Sequence, residues 1–135
     1  MKALTIHPYY VHMIWFEQKT IEVRTWQTKH RGDILICASR EMMHGTIPGH
    51  ALCVADLVNV RPLKKADMEA AYLPDEDYRK GLYAWELENI RTIQPIPVRG
   101  KPGLFDIDDS LIKYIPDPEI DDRTRWDKIW QPLTV

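Results

Sequence analysis

A chain of 135 residues with 44% hydrophobic content fits one globular domain, leaves little room for a second and excludes general disorder. A domain of this size buries roughly two-thirds of its unfolded surface, so it needs neither disulfides nor a metal to fold. The net charge of −2 excludes an all-round basic coat for nucleic acid, but residues 1–65 hold nine Lys and Arg against five Asp and Glu, and the remainder nine against fifteen. That asymmetry is compatible with one positive face, or with an uneven solvated surface.

Along the chain, Ala3–Ile6 is a short apolar start and is expected to be a strand. Pro8 suits a first helical turn, where its missing N–H has no intrahelical partner to lose. Val11, Ile14 and Trp15 then fall at helical spacing, which predicts a helix over Tyr9–Glu17. From Thr20 the period becomes two, and a half-buried strand is expected. A polar loop, Gln27–Arg31, leads through Gly32 to a buried strand, Ile34–Ala38. Residues 39–50, with two Gly and one Pro, read as a loop. A long strand is expected over Ala51–Arg61, a short helix over Ala66–Tyr72 and a polar connection over Leu73–Gly81. Tyr83–Ile93 alternates as a strand, Pro95 and Pro97 bracket an extended piece, and Gly100–Gly103 forms a tight turn. The acidic tail from Asp106 ends in a Trp-rich segment, RWDKIWQPL, expected to fold back on the body. Five to six strands with two or three short helices and no βαβ rhythm predict an α+β fold built on a small mixed β-barrel.

The opening MKALTIHPYYVHMIW has a broken apolar stretch and no small-residue cleavage site, so no signal peptide is expected. No apolar run approaches the ~20 residues that span a bilayer. A cytoplasmic location without a membrane partner follows as the expectation. Cys37 and Cys53 lie in apolar runs and read as buried strand thiols rather than a disulfide. His44, His50 and Cys53 are close in sequence, but their spacing does not match a zinc site, and no metal or other cofactor is expected.

The segment KTIEVRTWQTKHRG carries the chemistry. Strand parity puts Glu22, Arg24 and Trp26 on one face and Ile21, Val23 and Thr25 on the other. Lys19, Lys29, His30 and Arg31 surround the same strand and concentrate positive charge there. Arg offers a planar donor fork to a phosphate or a base edge, and Lys supplies a point charge. Trp offers a stacking platform worth about 1–3 kcal/mol per base. Glu22 either accepts from a base amino group or merely holds Arg24 in place; the residues alone leave both open.

These residues resemble the signature of the ASCH superfamily, a branch of the PUA-like fold, whose G-x-K-x-x-E-x-R pattern follows the first helix. Lys19, Glu22 and Arg24 match its last three fixed positions, while Glu17 stands where the pattern has glycine. A differently built turn between helix and strand is therefore expected. IHPYYVHMIW, TWQTKHRGDILICAS and YAWELENIRTIQPIPVRGKPGLFDID resemble further family segments in the same order, so the likeness covers most of residues 4–108. Residues 109–135 then form a C-terminal extension packed on the barrel of a single 1–135 domain.

The resemblance implies a β-barrel with a basic cleft lined by Lys19, Glu22 and Arg24, with Arg31 near its rim. It implies RNA or other single-stranded nucleic acid, or a nucleotide-like ligand, as partner, with a role in RNA metabolism or transcription coregulation. Ser39, Arg40, Trp85 and Lys101 are added from their positions at strand ends and turns that could border the cleft. Some small ASCH-like proteins are amidohydrolases that use Lys, Thr and Glu on a modified cytidine, and others are linked to RNA cleavage. Lys19 matches that lysine, but Glu22 occupies the threonine position and cannot be a hydroxyl nucleophile. A hydrolase using Lys19 and Glu22 is thus one alternative, and a protein-interaction module presenting the Trp126–Trp130 segment is another. A monomer or weak dimer is expected.

Overall fold

The computed structural model describes residues 1–116 and 123–135. Residues 117–122, the middle of the expected acidic tail, lie outside them. Six strands form one mixed sheet: β1 (Lys2–Ile6), β2 (Ile21–Arg24), β3 (Gly32–Ala38), β4 (His50–Pro62), β5 (Tyr83–Pro97) and β6 (Phe105–Asp106). Among the described residues two helices accompany them, α1 (Pro8–Trp15) and α2 (Arg123–Ile129). Among the described residues no helix is long and apolar enough to cross a membrane.

The strand order is β2-β5-β4-β3-β1-β6, with β1 parallel to β3 and every other pair antiparallel. The sheet does not close into the expected barrel. Its last strand, β6, pairs only with Lys2 and Ala3. Among the described residues the far end of β1, Thr5 and Ile6, therefore has no strand partner on that edge, and β2 pairs with β5 alone. Between these two unpaired edges the ladder is replaced by an open seam.

Alternation explains the core. Ile34, Ile36, Leu52, Ala55, Leu57, Trp85 and Leu87 join Val11, Ile14 and Trp15 of α1 in the main cluster. Leu35, Cys37, Val54, Ile93 and Ile96 pack on the opposite face. Both cysteines are free thiols, and burial pushes Cys37 up to about 12. α1 starts with Pro8 at its first position, as the sequence suggests, and His7 Nδ1 accepts from Tyr9 N–H at 3.1 Å as its cap. Trp126 of α2 stacks on Trp15 at 5.9 Å, and Trp130, fully buried, lies 5.5 Å from the same ring.

Two local expectations need correction. The helix expected over Ala66–Tyr72 is instead a 3-10 turn at Lys65–Asp67 followed by further turns. Arg61 clamps Asp67 through both carboxylate oxygens at 2.7 and 2.9 Å, and Tyr72 at φ +58 reverses the chain. The segment is thus too short to repay helix nucleation. Strand β5 runs through Pro95 to Pro97 because its register against β4 jumps from Thr92↔Cys53 to Ile96↔Ala51. Pro95 falls inside that irregularity, where the ladder needs no N–H from it.

The turn from α1 into β2 also differs from expectation. Gln18 N–H donates to Met13 O at 2.8 Å, and Glu17 N–H to Ile14 O at 3.0 Å, the pair of bonds of a Schellman stop. Glu17 sits at φ +62, the left-handed conformation that glycine adopts without cost. The glycine-type turn is therefore kept with a glutamate in it. A non-glycine residue there costs about 1–2 kcal/mol, against about 0.5–1 kcal/mol of entropy lost by glycine.

Glu17→Gly should consequently stabilise the fold by about 0.5–1 kcal/mol, seen as a higher urea midpoint at unchanged m-value. Glu17→Val should lower the midpoint. A second outcome concerns His12, which is buried and accepts Ile47 N–H at Nε2 (3.1 Å). Burial lowers its pKa from the ordinary 6.5. As pH falls below 6.5 the unfolded chain binds this proton more fully than the folded one, so the contribution is complete above that pH and is lost as pH falls toward the lower folded pKa. Melting temperature should drop between pH 7.5 and 5.5, and His12→Gln should flatten that drop.

Candidate functional site

The seam between β1 and β2 is a cleft of about 720 Å³. Thr5, Ile6 and His7 form one side, Glu22–Thr25 the other, and Tyr10 of α1 with Lys19 the inner end. The far wall comes from Leu73, Tyr78, Arg79 and Leu82. It is held there because Leu73, Tyr78 and Leu82 pack on a small cluster of Ile21, Leu63, Met68, Ala71 and Ala84. The backbone of β2 is tied to the same segment by Thr20 and Ile21 N–H, which both donate to Ala70 O.

At the floor, Lys19 is 2% exposed and Glu22 7%. Lys19 Nζ donates to Ala71 O, stands 3.5 Å from Glu22 Oε1 and lies 5.0 Å from the Tyr10 ring centroid. Burial depresses the Lys19 pKa, and the Glu22 carboxylate opposes that shift. Arg24 Nη2 donates to Glu22 Oε2 at 3.0 Å and to Thr5 O at 2.8 Å. One side chain thus spans the seam that a strand ladder would otherwise fill. Arg24 Nε and Thr5 Oγ1 are buried and have no hydrogen-bond partner among the described residues, and such groups are rare enough in folded proteins to mark a site of interest.

The sequence-derived residues divide into three groups. Lys19, Glu22 and Arg24 come together in the cleft. Ser39, Arg40 and Lys101 line a second hollow of about 370 Å³ with Arg99 and Gly100, and this hollow shares Thr5 with the cleft. Trp26, His30, Arg31 and Trp85 do not line the cleft. Parity failed for Trp26 because β2 ends at Arg24, and the indole then turns onto Trp85 edge-on at 4.8 Å. Trp85 is fully buried and donates to Trp26 O at 3.2 Å, so it is core rather than rim. His30 Nε2 lies 2.9 Å from Asp33 O, and Arg31 donates to Thr28 O and His30 O, which folds both onto their own loop.

The expected basic character of the cleft also needs correction. Lys19, Arg24 and Arg79 are matched in its lining by Glu22, Glu76 and Asp77. Sequence reading missed Tyr10, Tyr78 and Arg79 as cleft residues. Tyr10 follows the helix start by two positions, off the Val11–Ile14–Trp15 face, and that offset was the available signal. Nothing local in Leu73–Gly81 announces that it crosses back over β2. Among the described residues no three His, Cys, Asp or Glu side chains converge as a metal site.

A model of the ASCH domain family matches residues 4–97. Solved structures with a similar fold include ASCH from Zymomonas mobilis, at 17% identity over 81% of this chain and 88% of that one, with a TM-score of 0.64. A tyrosine-to-phenylalanine mutant of the Z. mobilis protein aligns at 15% identity over 83% and 98%, TM-score 0.66. A serine-to-alanine mutant aligns at 18% over 83% and 96%, TM-score 0.64. No curated protein matches the chain.

Proposed function

The chain belongs to the ASCH domain family, a family generally linked to RNA binding, and from that premise we propose that its seam cleft takes one nucleotide unit of single-stranded RNA. The observation that carries this reading is the buried Lys19–Glu22 pair, joined by half-buried Arg24, on the floor of an open cleft. Charges buried in a protein are costly and rarely kept without a partner to recognise or a structural role to fill. Convergent polar groups under an open concavity favour the first.

The chemistry suits a base and sugar better than a phosphate backbone. Glu22 supplies an acceptor for an exocyclic amino group, and Arg24 a donor fork for a carbonyl or ring nitrogen. The half-buried rings of Tyr10 and Tyr78 line the same space and offer faces for stacking. The balanced charge of the lining gives no reason for a long polyanion to lie along it. Single-stranded RNA is favoured over duplex because only an unpaired base can leave its stack and enter a cleft of this kind.

Fluorescence anisotropy with short labelled single-stranded RNA, and the matching duplex as control, tests the proposal. Single-stranded RNA should bind with submillimolar Kd at low salt. With one phosphate engaged at most, the slope of log affinity against log salt should be shallow, about −0.7 or less in magnitude. Arg24→Ala or Glu22→Gln should weaken binding roughly 10-fold or more, with folding checked by melting temperature. Binding weaker than millimolar, or variants that fold and bind like the wild type, would overturn the assignment.

A further inference from the structure

We propose that the hollow formed by Ser39, Arg40, Arg99, Lys101 and Thr5 is a phosphate subsite of the same ligand. The ligand class is then a phosphorylated nucleotide, with its base in the cleft and its phosphate across Thr5. This rests on the cleft reading above and extends it.

Charge distribution is the first reason. The cleft lining is balanced, whereas the hollow gathers Arg40, Arg99 and Lys101 with no carboxylate among its lining residues. Arg24, Arg61 and Arg91 each hold a carboxylate at 2.7–3.0 Å. No described residue does the same for Arg40, Arg99 or Lys101. The nearest acid in sequence, Glu41, is turned to Ser39 Oγ at 3.2 Å and to His7 Nε2 at 3.4 Å. Three uncompensated cations in one concavity repel one another, and a dianionic phosphate relieves that repulsion while accepting several charge-assisted hydrogen bonds.

Connectivity is the second reason. Thr5 lines both spaces, and its carbonyl already receives Arg24 from the cleft side. Gly100 lies so close to it that a Cβ would stand 2.7 Å from Thr5 Oγ1. The missing side chain lets the Arg99–Lys101 turn seat on β1, which brings its cations to the end of the cleft. A base and its phosphate are separated by one sugar, and two hollows that share a single residue suit that spacing.

The test compares uridine and adenosine with their 5′- and 3′-monophosphates, titrated by NMR chemical shift on the full chain and on an Arg40→Ser/Arg99→Ser/Lys101→Ser variant. All three side chains are exposed, so the fold should be kept. At least one monophosphate should bind tenfold or more tightly than its nucleoside. The triple variant should erase that advantage and leave nucleoside affinity unchanged. Nucleosides that bind without any gain from phosphate, or a gain that survives in the variant, overturn the subsite alone. Absence of both nucleoside and nucleotide binding overturns the cleft reading, and the subsite with it.

Discussion

Arg24 reaches across an unclosed sheet, with Nη2 on Thr5 O of one strand and on Glu22 of the other, and the rest of the site depends on that bridge. A barrel seam closed by backbone ladder would satisfy its own polar groups and leave nothing to offer a ligand. Here the edge of β1 beyond Ala3 and the edge of β2 are left without strand partners. A guanidinium can connect them at one point and leave space beside it. The cleft is thus a consequence of strand lengths: β6 has two residues and β2 four, too few to close the sheet.

Such a bridge has to be held, and the electrostatics show how. Glu22 accepts from Arg24 on one oxygen and stands near Lys19 with the other. Lys19 is anchored in turn by Ala71 O, on the segment that forms the far wall. Removing one partner of a buried ion pair strands the other, typically at a cost of about 3–5 kcal/mol. The three charges therefore fix one another and also tie β2 to residues 71–82. On the proposed reading, the atoms that would contact the ligand are the ones that hold the architecture, and Glu22 belongs to both sets.

Much of this was legible in the sequence, and the failures have physical causes. The strands, α1 and the Lys19–Glu22–Arg24 set follow from period and signature, because each is a local property of the chain. Trp26 was misplaced because parity arguments last only while the strand does, and β2 stops two residues earlier. Trp85 looked like a strand-end residue, but a large ring at the head of β5 gains more from full burial than from any rim. Barrel closure was not decidable from strand count, since it rests on which edges meet. Tyr78 and Arg79 reach the cleft only through packing of a 3-10-rich segment over Ile21 and Ala84. Glu17 keeps a left-handed turn that its side chain disfavours, so the backbone requirement there outlasts the residue best suited to it.

A chain of net charge −2 can still be organised for an anionic ligand if its cations are divided by function. In the cleft each cation has a carboxylate counterpart in the lining, which sets hydrogen-bond direction and keeps long-range attraction weak. Over Thr5 no described carboxylate pairs with them. Among the described residues, other carboxylates stand away from both spaces, on Asp33 and Asp56 around Arg91 and on Asp106, Asp108 and Asp109 near the N-terminus. A total charge averages over these regions, whereas a ligand meets only the residues within about one Debye length, ~8 Å at physiological salt. Within that distance the two proposed roles, specificity in the cleft and attraction in the hollow, are separable, because different side chains line the two spaces.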